Sequence, residues 1–266
     1  RQLLKLKQHV NRLGCTTLFT ASESNAVDLE SLQTVVHGVI ELGIHRPDYG
    51  EPRRWLDPTK MRGMDFIGGR HDFRILTGGL EVYPRIEVGH TERKMEWRVI
   101  SSGNSELDTL FGGGLEEGTS CLITGTTGAG KSTLAGLYAE AAAKRGDRSV
   151  IFCFDERRQT FLRRASGLGM DIADHIEQGL VDLRQVNVGE LTPGEFAFQV
   201  RHATDKKDVR IVVIDSLSGY IYAMPEQRQL VVQLHELLSY LNGAGVLTLL
   251  VVATQGFPVS KETDVD

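Results

Sequence analysis

The chain has 266 residues, of which 41% are hydrophobic, and a formal net charge of −5. That is enough for one large α/β domain or two smaller ones around a sizeable core, and the acidic balance, with no long basic run, argues against nucleic acid as a partner. Three widely spaced cysteines, Cys15, Cys121 and Cys153, exclude a disulfide framework and fit reduced thiols in a cytoplasmic protein; no zinc spacing, membrane span or signal peptide is expected either.

In chain order, Leu3, Leu6, Val10 and Leu13 mark one face of a helix closed by Gly14. Cys15 to Thr20 reads as a strand, and residues 21–31 as a polar loop. Val35, Val36, Val39 and Ile40 suggest another strand, followed by a charged loop from His45 to Pro58. Phe73, Ile75, the Gly78-Gly79 turn, Leu80, Val82 and Tyr83 predict a hairpin. Residues 84–97 read as a linker. Leu107 to Phe111 forms a short amphipathic turn before Gly112, Gly113 and Gly114. Buried strands are predicted at Thr119–Thr124, Ser149–Phe154, Arg210–Ile214 and Gly245–Ala253, with a weaker one at Leu180–Val186. Helices fall between them, around Leu134–Ala143, Phe161–Ala165, Phe196–Val200 and Leu230–Leu241. Apolar strands alternating with helices predict a parallel sheet covered on both faces, with ligands at the carboxyl ends of its strands.

Residues 125–133 read GTTGAGKST, which fits the phosphate-binding pattern G-x-x-x-x-G-K-S/T in its required context of strand, loop and helix. Glycines let the backbone wrap a triphosphate and leave its N–H groups unobstructed, and the helix N-terminus adds its positive dipole end. Thr126, Thr127, Gly128, Ala129, Gly130, Lys131, Ser132 and Thr133 are therefore the expected ATP contacts, with Lys131 on the β and γ phosphates and Ser132 on Mg²⁺. Asp215 follows four apolar residues and has the form of the Walker B aspartate, the second Mg²⁺ group. Asp155 and Glu156 end the preceding strand. Glu156 is the candidate general base for the attacking water and Asp155 its support, although an acidic pair at a helix N-terminus is also favoured by the dipole alone. Thr254 and Gln255 end the last strand, either as sensors of the γ-phosphate or as polar strand terminators.

Residues 11–19 are similar to residues 242–250, each a leucine-rich helix leading into a strand. The separation suits one α/β unit plus a linker and predicts a duplication. Residues 1–90 would be the C-terminal portion of a first unit and residues 91–266 a second unit, truncated at its end. In an alternative, permuted arrangement the hairpin at 73–84 completes the sheet of the later unit.

Leu107-Asp108, the triple glycine with Leu115, the phosphate loop, Asp155-Glu156 and Ile214-Asp215-Ser216-Leu217-Ser218 together resemble the RecA superfamily, and within it the KaiC-like circadian-clock ATPases with two tandem RecA-like units. Lys60-Met61-Arg62-Gly63 and the hairpin from Phe73 to Pro84 resemble the end of a first KaiC unit. The resemblance implies a RecA-like P-loop fold and ATP hydrolysed at the subunit interfaces of a hexameric ring. It also implies paired catalytic acids at Asp155 and Glu156, and Lys60 and Arg62 reaching a nucleotide on the adjacent subunit. A signalling protein partner would fit such a ring. One departure stands out: the clock proteins autophosphorylate at an adjacent Ser-Thr pair after this Asp-Ser-Leu-Ser segment, whereas residues 219–226 read GYIYAMPE. A Ser/Thr autokinase, a RecA/RadA-like DNA-dependent ATPase and an ATP-gated signalling scaffold are the alternative functions. The stretch 216–227 lacks the Lys and Arg that a DNA-contacting loop would use.

Overall fold

In the computed structural model, the described residues are 9–10, 12–21, 29–46, 51–87, 98–187, 189, 191–222 and 227–254. After a helix at Leu29–Val35 (α1), four strands follow: Gly38–His45 (β1), Arg53–Met61 (β2), His71–Leu76 (β3) and Gly79–Tyr83 (β4). A two-stranded ribbon, Val99–Ile100 (β5) and Leu115–Glu116 (β6), brackets the helix Ser105–Leu110 (α2). Then come Ser120–Gly125 (β7), Lys131–Lys144 (α3), Arg148–Cys153 (β8), Arg158–Gly167 (α4), Ile172–Glu177 (α5), Val181–Gln185 (β9), Pro193–Lys207 (α6), Val209–Asp215 (β10), Leu217–Tyr222 (α7), Gln227–Gly243 (α8) and Leu247–Ala253 (β11).

The last five long strands form one sheet in the order β7-β11-β10-β8-β9, and every pairing in it is parallel. Continuous apolar sequence is what a strand buried on both faces requires. Val150, Phe152, Val212, Ile214 and Leu250 face one core layer, which includes Phe196 and Leu237 from α6 and α8. Ile151, Cys153, Ile211, Val213 and Leu249 face the other, which includes Tyr138, Phe161 and Ile172 from α3, α4 and α5. The alanines of α3 are almost fully buried, and small side chains allow the helix following the phosphate loop to lie close on the sheet. Gly146 (φ 85°) closes it in the left-handed region, and the Asp147 N–H returns to the Ala142 carbonyl at 2.9 Å, a Schellman-type stop. This α/β architecture of a parallel sheet between helix layers, with an antiparallel strand-rich sheet beside it, is the RecA-like arrangement anticipated from the motif order.

Several local expectations are corrected. Cys15–Thr20 is not a strand; it is exposed and unpaired in any ladder among the described residues, with Leu18 88% exposed. Apolar β-propensity alone does not make a strand where no neighbour offers a ladder. In the stretch 21–40, the predicted loop gives way to α1 and the strand starts only at Gly38. The predicted charged loop from His45 to Pro58 holds the start of β2 at residues 53–58, paired antiparallel to β1 from His45↔Arg53 to Gly38↔Met61; its charges obscured the strand pattern. The phosphate-loop strand β7 is not buried throughout but alternates exposed and half-buried residues, because among the described residues it pairs only with β11 and lies at the sheet edge. The predicted linker lies outside the described residues from 88 to 97.

The hairpin is as expected, with Ile75↔Leu80 and Phe73↔Val82 paired. It does not complete the parallel sheet; it belongs to a separate antiparallel sheet, β1-β2-β3-β4. That sheet nevertheless packs on α6. The Gly194 N–H donates to Asp72 Oδ2 at 2.9 Å, and Arg74 Nε meets Glu195 Oε2 at 3.0 Å. The Tyr83 and Phe198 ring centroids are 5.5 Å apart. Arg85 pairs with Glu236 of α8.

Candidate active site

Residues 126–130 connect β7 to α3 as an exposed cup. Gly128 (φ 82°) and Gly130 (φ 88°) occupy the left-handed region, where a Cβ is strained. Gly125 serves differently: a Cβ there would lie 3.3 Å from Ala129 Cβ and 3.7 Å from Lys131 Cδ, so its bareness makes room for the loop and its lysine. Gly130 is the N-cap of α3 and supplies no side-chain cap. The first-turn N–H groups of α3 thus point into the cup without a side-chain acceptor from the cap, as anion binding at a helix N-terminus requires. Lys131 Nζ donates to the Thr126 carbonyl at 2.7 Å, which folds the lysine back over the cup.

The parallel register brings the acidic strand ends to the same edge. Asp215 pairs with Cys153 of β8 and Val251 of β11, and the Phe154 N–H donates to the Asp215 carbonyl at 2.7 Å. Burial pushes the Asp215 carboxyl up, partly opposed by a hydrogen bond from the Ser132 side chain and by the Arg164 charge, while Glu156 and Asp155 add to the upward push. The two residues expected to hold Mg²⁺ therefore lie near enough for the Ser132 side chain to act on the Asp215 carboxyl. A hydroxyl and a carboxylate are hard oxygen donors that suit Mg²⁺, which takes its remaining ligands from phosphates and water. Among the described residues there is no cluster of three or more His, Cys, Asp or Glu able to hold a metal ion.

The acidic pair diverges, as expected for neighbours leaving a strand. Ser216 Oγ donates to Asp155 Oδ2 and in turn accepts the Gly219 N–H at 3.2 Å; this ties Asp155 to the start of α7. Glu156 turns toward α4, where Arg164 Nη2 and Nε donate to its two oxygens at 2.8 and 3.4 Å. Arg164 Nη1 also donates to Thr133 Oγ1 at 3.2 Å, so the acidic pair is linked to the phosphate-loop helix. Cys153 lies beneath this site, and burial pushes its thiol up to about 12, with Asp215 and Glu156 adding to the effect.

Sequence reasoning did not single out Arg164. It stands two turns along α4 from Glu156, and only the start of that helix against the strand end makes the two meet. Thr254 follows β11 and is exposed, whereas Gln255 lies outside the described residues. Lys60 and Arg62 do not join this network. Lys60 Nζ donates to the Gln33 carbonyl and Arg62 Nη2 to the Thr34 carbonyl at 2.9 Å, both near the C-terminal end of α1, where cations are favoured. A cavity of about 230 Å³ lined by Ile67, Arg85, Arg201 and Tyr240 lies apart from the loop. The loop itself is an open cup, consistent with a ligand grasped by backbone N–H groups rather than enclosed.

Known proteins resemble this chain over much of its length. The family model described as "ATPase: KaiC" matches residues 1–87 and 100–263. The circadian clock oscillator protein KaiC of Acaryochloris marina is 30% identical over 186 residues, 69% of this chain and 35% of that protein. The protein of the same name from Picosynechococcus sp. is 34% identical over 69% of this chain and 36% of its own length, and that of Synechococcus elongatus is 29% identical over the same shares. The chain thus spans about a third of the length of the curated relatives it matches. With a RecA-like sheet, a glycine-lined cup at its edge and the family model matched over most of its length, the chain belongs to the KaiC ATPase family.

Proposed function

We propose that the chain binds Mg-ATP at residues 126–133 and hydrolyses it slowly. The parallel register that sets the end of β10, Asp215, at the same carboxyl edge of the sheet as the loop after β7 is the observation that carries this reading, because it brings the two magnesium-side groups to the loop. Lys131 neutralises the β and γ phosphates, and the first-turn N–H groups of α3 hold their oxygens. Ser132 and Asp215 would hold Mg²⁺, which would supply charge withdrawal from the phosphate oxygens. Glu156 orients a water and takes its proton as the water oxygen bonds the γ-phosphorus. The bond from that phosphorus to the β–γ bridging oxygen breaks, and its electron pair leaves with ADP. Asp155, held by Ser216, keeps the strand end in place.

The finer organisation follows the same reading. The family match falls in two segments, 1–87 and 100–263, which supports residues 1–90 as the C-terminal portion of a first RecA-like unit and 91–266 as a second unit. Tandem units of this kind assemble as rings in the cytoplasm, hexameric by resemblance, with nucleotide between subunits. Lys60 and Arg62 would then serve a neighbour's nucleotide and Thr254 and Gln255 would sense the γ-phosphate, passing its loss to a signalling protein partner. No adjacent Ser-Thr pair lies between residues 216 and 226, which favours hydrolysis over self-phosphorylation.

Lys131→Ala should weaken Mg-ATP binding at least tenfold by calorimetry. Glu156→Gln should keep binding but lose roughly a hundredfold in phosphate release, the usual contribution of a positioned base. ATP uptake by Lys131→Ala equal to that of the parent would overturn the assignment. Light scattering with and without Mg-ATP reads the ring.

A further inference from the structure

Arg164 is a charged group beside the loop that the proposed reaction does not yet use. Its guanidinium donates to both oxygens of Glu156 and to the Thr133 hydroxyl, one residue beyond Ser132. It lies 5.0 Å from the centre of the Phe161 ring, and Phe161 is 1% exposed, so the arginine rests on a fixed platform. A fork with two donors to a carboxylate and a third to a hydroxyl on another helix sets the orientation of both partners. Both members of the pair are more than a fifth exposed, and pairs of that exposure contribute little to stability. The arrangement is better matched to placing a side chain than to holding the fold.

We propose that Arg164 is the positioning residue of the hydrolytic base: its guanidinium fork fixes the Glu156 carboxylate beside the phosphate loop, in the orientation from which it accepts the proton from water. A carboxylate has about four lone-pair directions; the fork occupies two and leaves two for a water. The bond to Thr133 ties this geometry to α3, the helix that carries the nucleotide contacts. The inference rests on the ATPase reading above. Two consequences separate it from a merely structural contact. Loss of the fork should slow the chemical step more than ATP binding, and it should cost little further once Glu156 itself has been replaced.

The test compares Arg164→Gln, Arg164→Lys, Glu156→Gln and the double variant in the full chain, measuring kcat and KM for ATP, with circular dichroism to check folding. Arg164→Gln should lower kcat by roughly ten- to a hundredfold, the scale of a misplaced reacting group, and change KM by less than about threefold. Arg164→Lys keeps the charge without the fork, so its kcat should stay low; it also carries the test if the Gln variant does not fold. The double variant should be no slower than Glu156→Gln alone. Parent-like kcat in both Arg164 variants, beside a Glu156→Gln variant that has lost turnover, would overturn this inference and leave the ATPase reading intact. A parent protein that does not hydrolyse Mg-ATP would overturn both.

Discussion

Gly219, in α7, is where packing and the site are most tightly joined. A Cβ built there would sit 2.6 Å from Phe154 Cβ and 2.9 Å from Asp155 Oδ1. Carbon atoms in contact prefer roughly 3.5–4.0 Å, so the alanine methyl would be about 1 Å too close to a Cβ that cannot swing away. Either α7 or the end of β8 must move. Overpacking of this kind costs about 1–3 kcal/mol, and the better helix propensity of alanine returns up to about 1 kcal/mol. Gly219→Ala should therefore destabilise by about 1–2 kcal/mol, a fall in Tm of roughly 3–6 °C for a chain of this size. It should also displace Asp155 from Ser216, because the Gly219 N–H and the Ser216 hydroxyl belong to the same hydrogen-bonded turn, so phosphate release should fall along with stability. Gly167, at the end of α4, is the control: nothing lies within 4 Å of a Cβ there, and alanine should be neutral or stabilise by up to about 1 kcal/mol. The assay is paired thermal melting and phosphate release on both variants. A Gly219→Ala protein that melts with the parent and turns over at its rate would show that α7 does not hold the acidic pair in place.

Other outcomes can be checked with simpler measurements. Burial, ahead of neighbouring charges, raises the Asp215 carboxyl above the ordinary carboxylate range. A raised carboxyl binds its proton more tightly in the folded state, so the stability it contributes is greatest below the unfolded value and is lost as pH rises through the folded one. Asp215→Asn should thus melt higher than the parent at about pH 8, the gap closing toward about pH 4, while Mg-dependent ATP binding weakens; a gap that grows on acidification would contradict the sign. The Cys153 thiol is buried and held up to about 12, whereas Cys15 is exposed. Iodoacetamide at about pH 8 should label Cys15 in the native protein and Cys153 only after denaturation; mass spectrometry of the peptides gives the answer.

Local sequence carried the second half of the fold with little ambiguity. Arg148–Cys153, Val209–Asp215 and Leu247–Ala253 are continuous apolar runs between helical patterns, and only a covered parallel sheet buries such strands on both faces. The loop between β7 and α3 was equally legible as strand, turn and helix in that order, with Gly128 and Gly130 at the positive φ that glycine allows. The antiparallel sheet was less so. Its β2 is charged and half-buried, and its identity as a strand comes from pairing with β1 rather than from its own residues; conversely, Cys15–Thr20 has strand-forming residues but no ladder.

Tertiary structure alone decided which acidic group meets which partner. Asp155 and Glu156 are adjacent in sequence, yet one is tied to Ser216 after β10 and the other to Arg164 on α4. It likewise put the hairpin on α6 instead of in the parallel sheet. The physical reason is range. Helix and strand patterns, and a loop that wraps phosphates, are written in neighbours a few residues apart. The hydrogen-bond partner of a strand-end carboxylate is set by sheet order and by where the next helix begins, which no short stretch of chain contains.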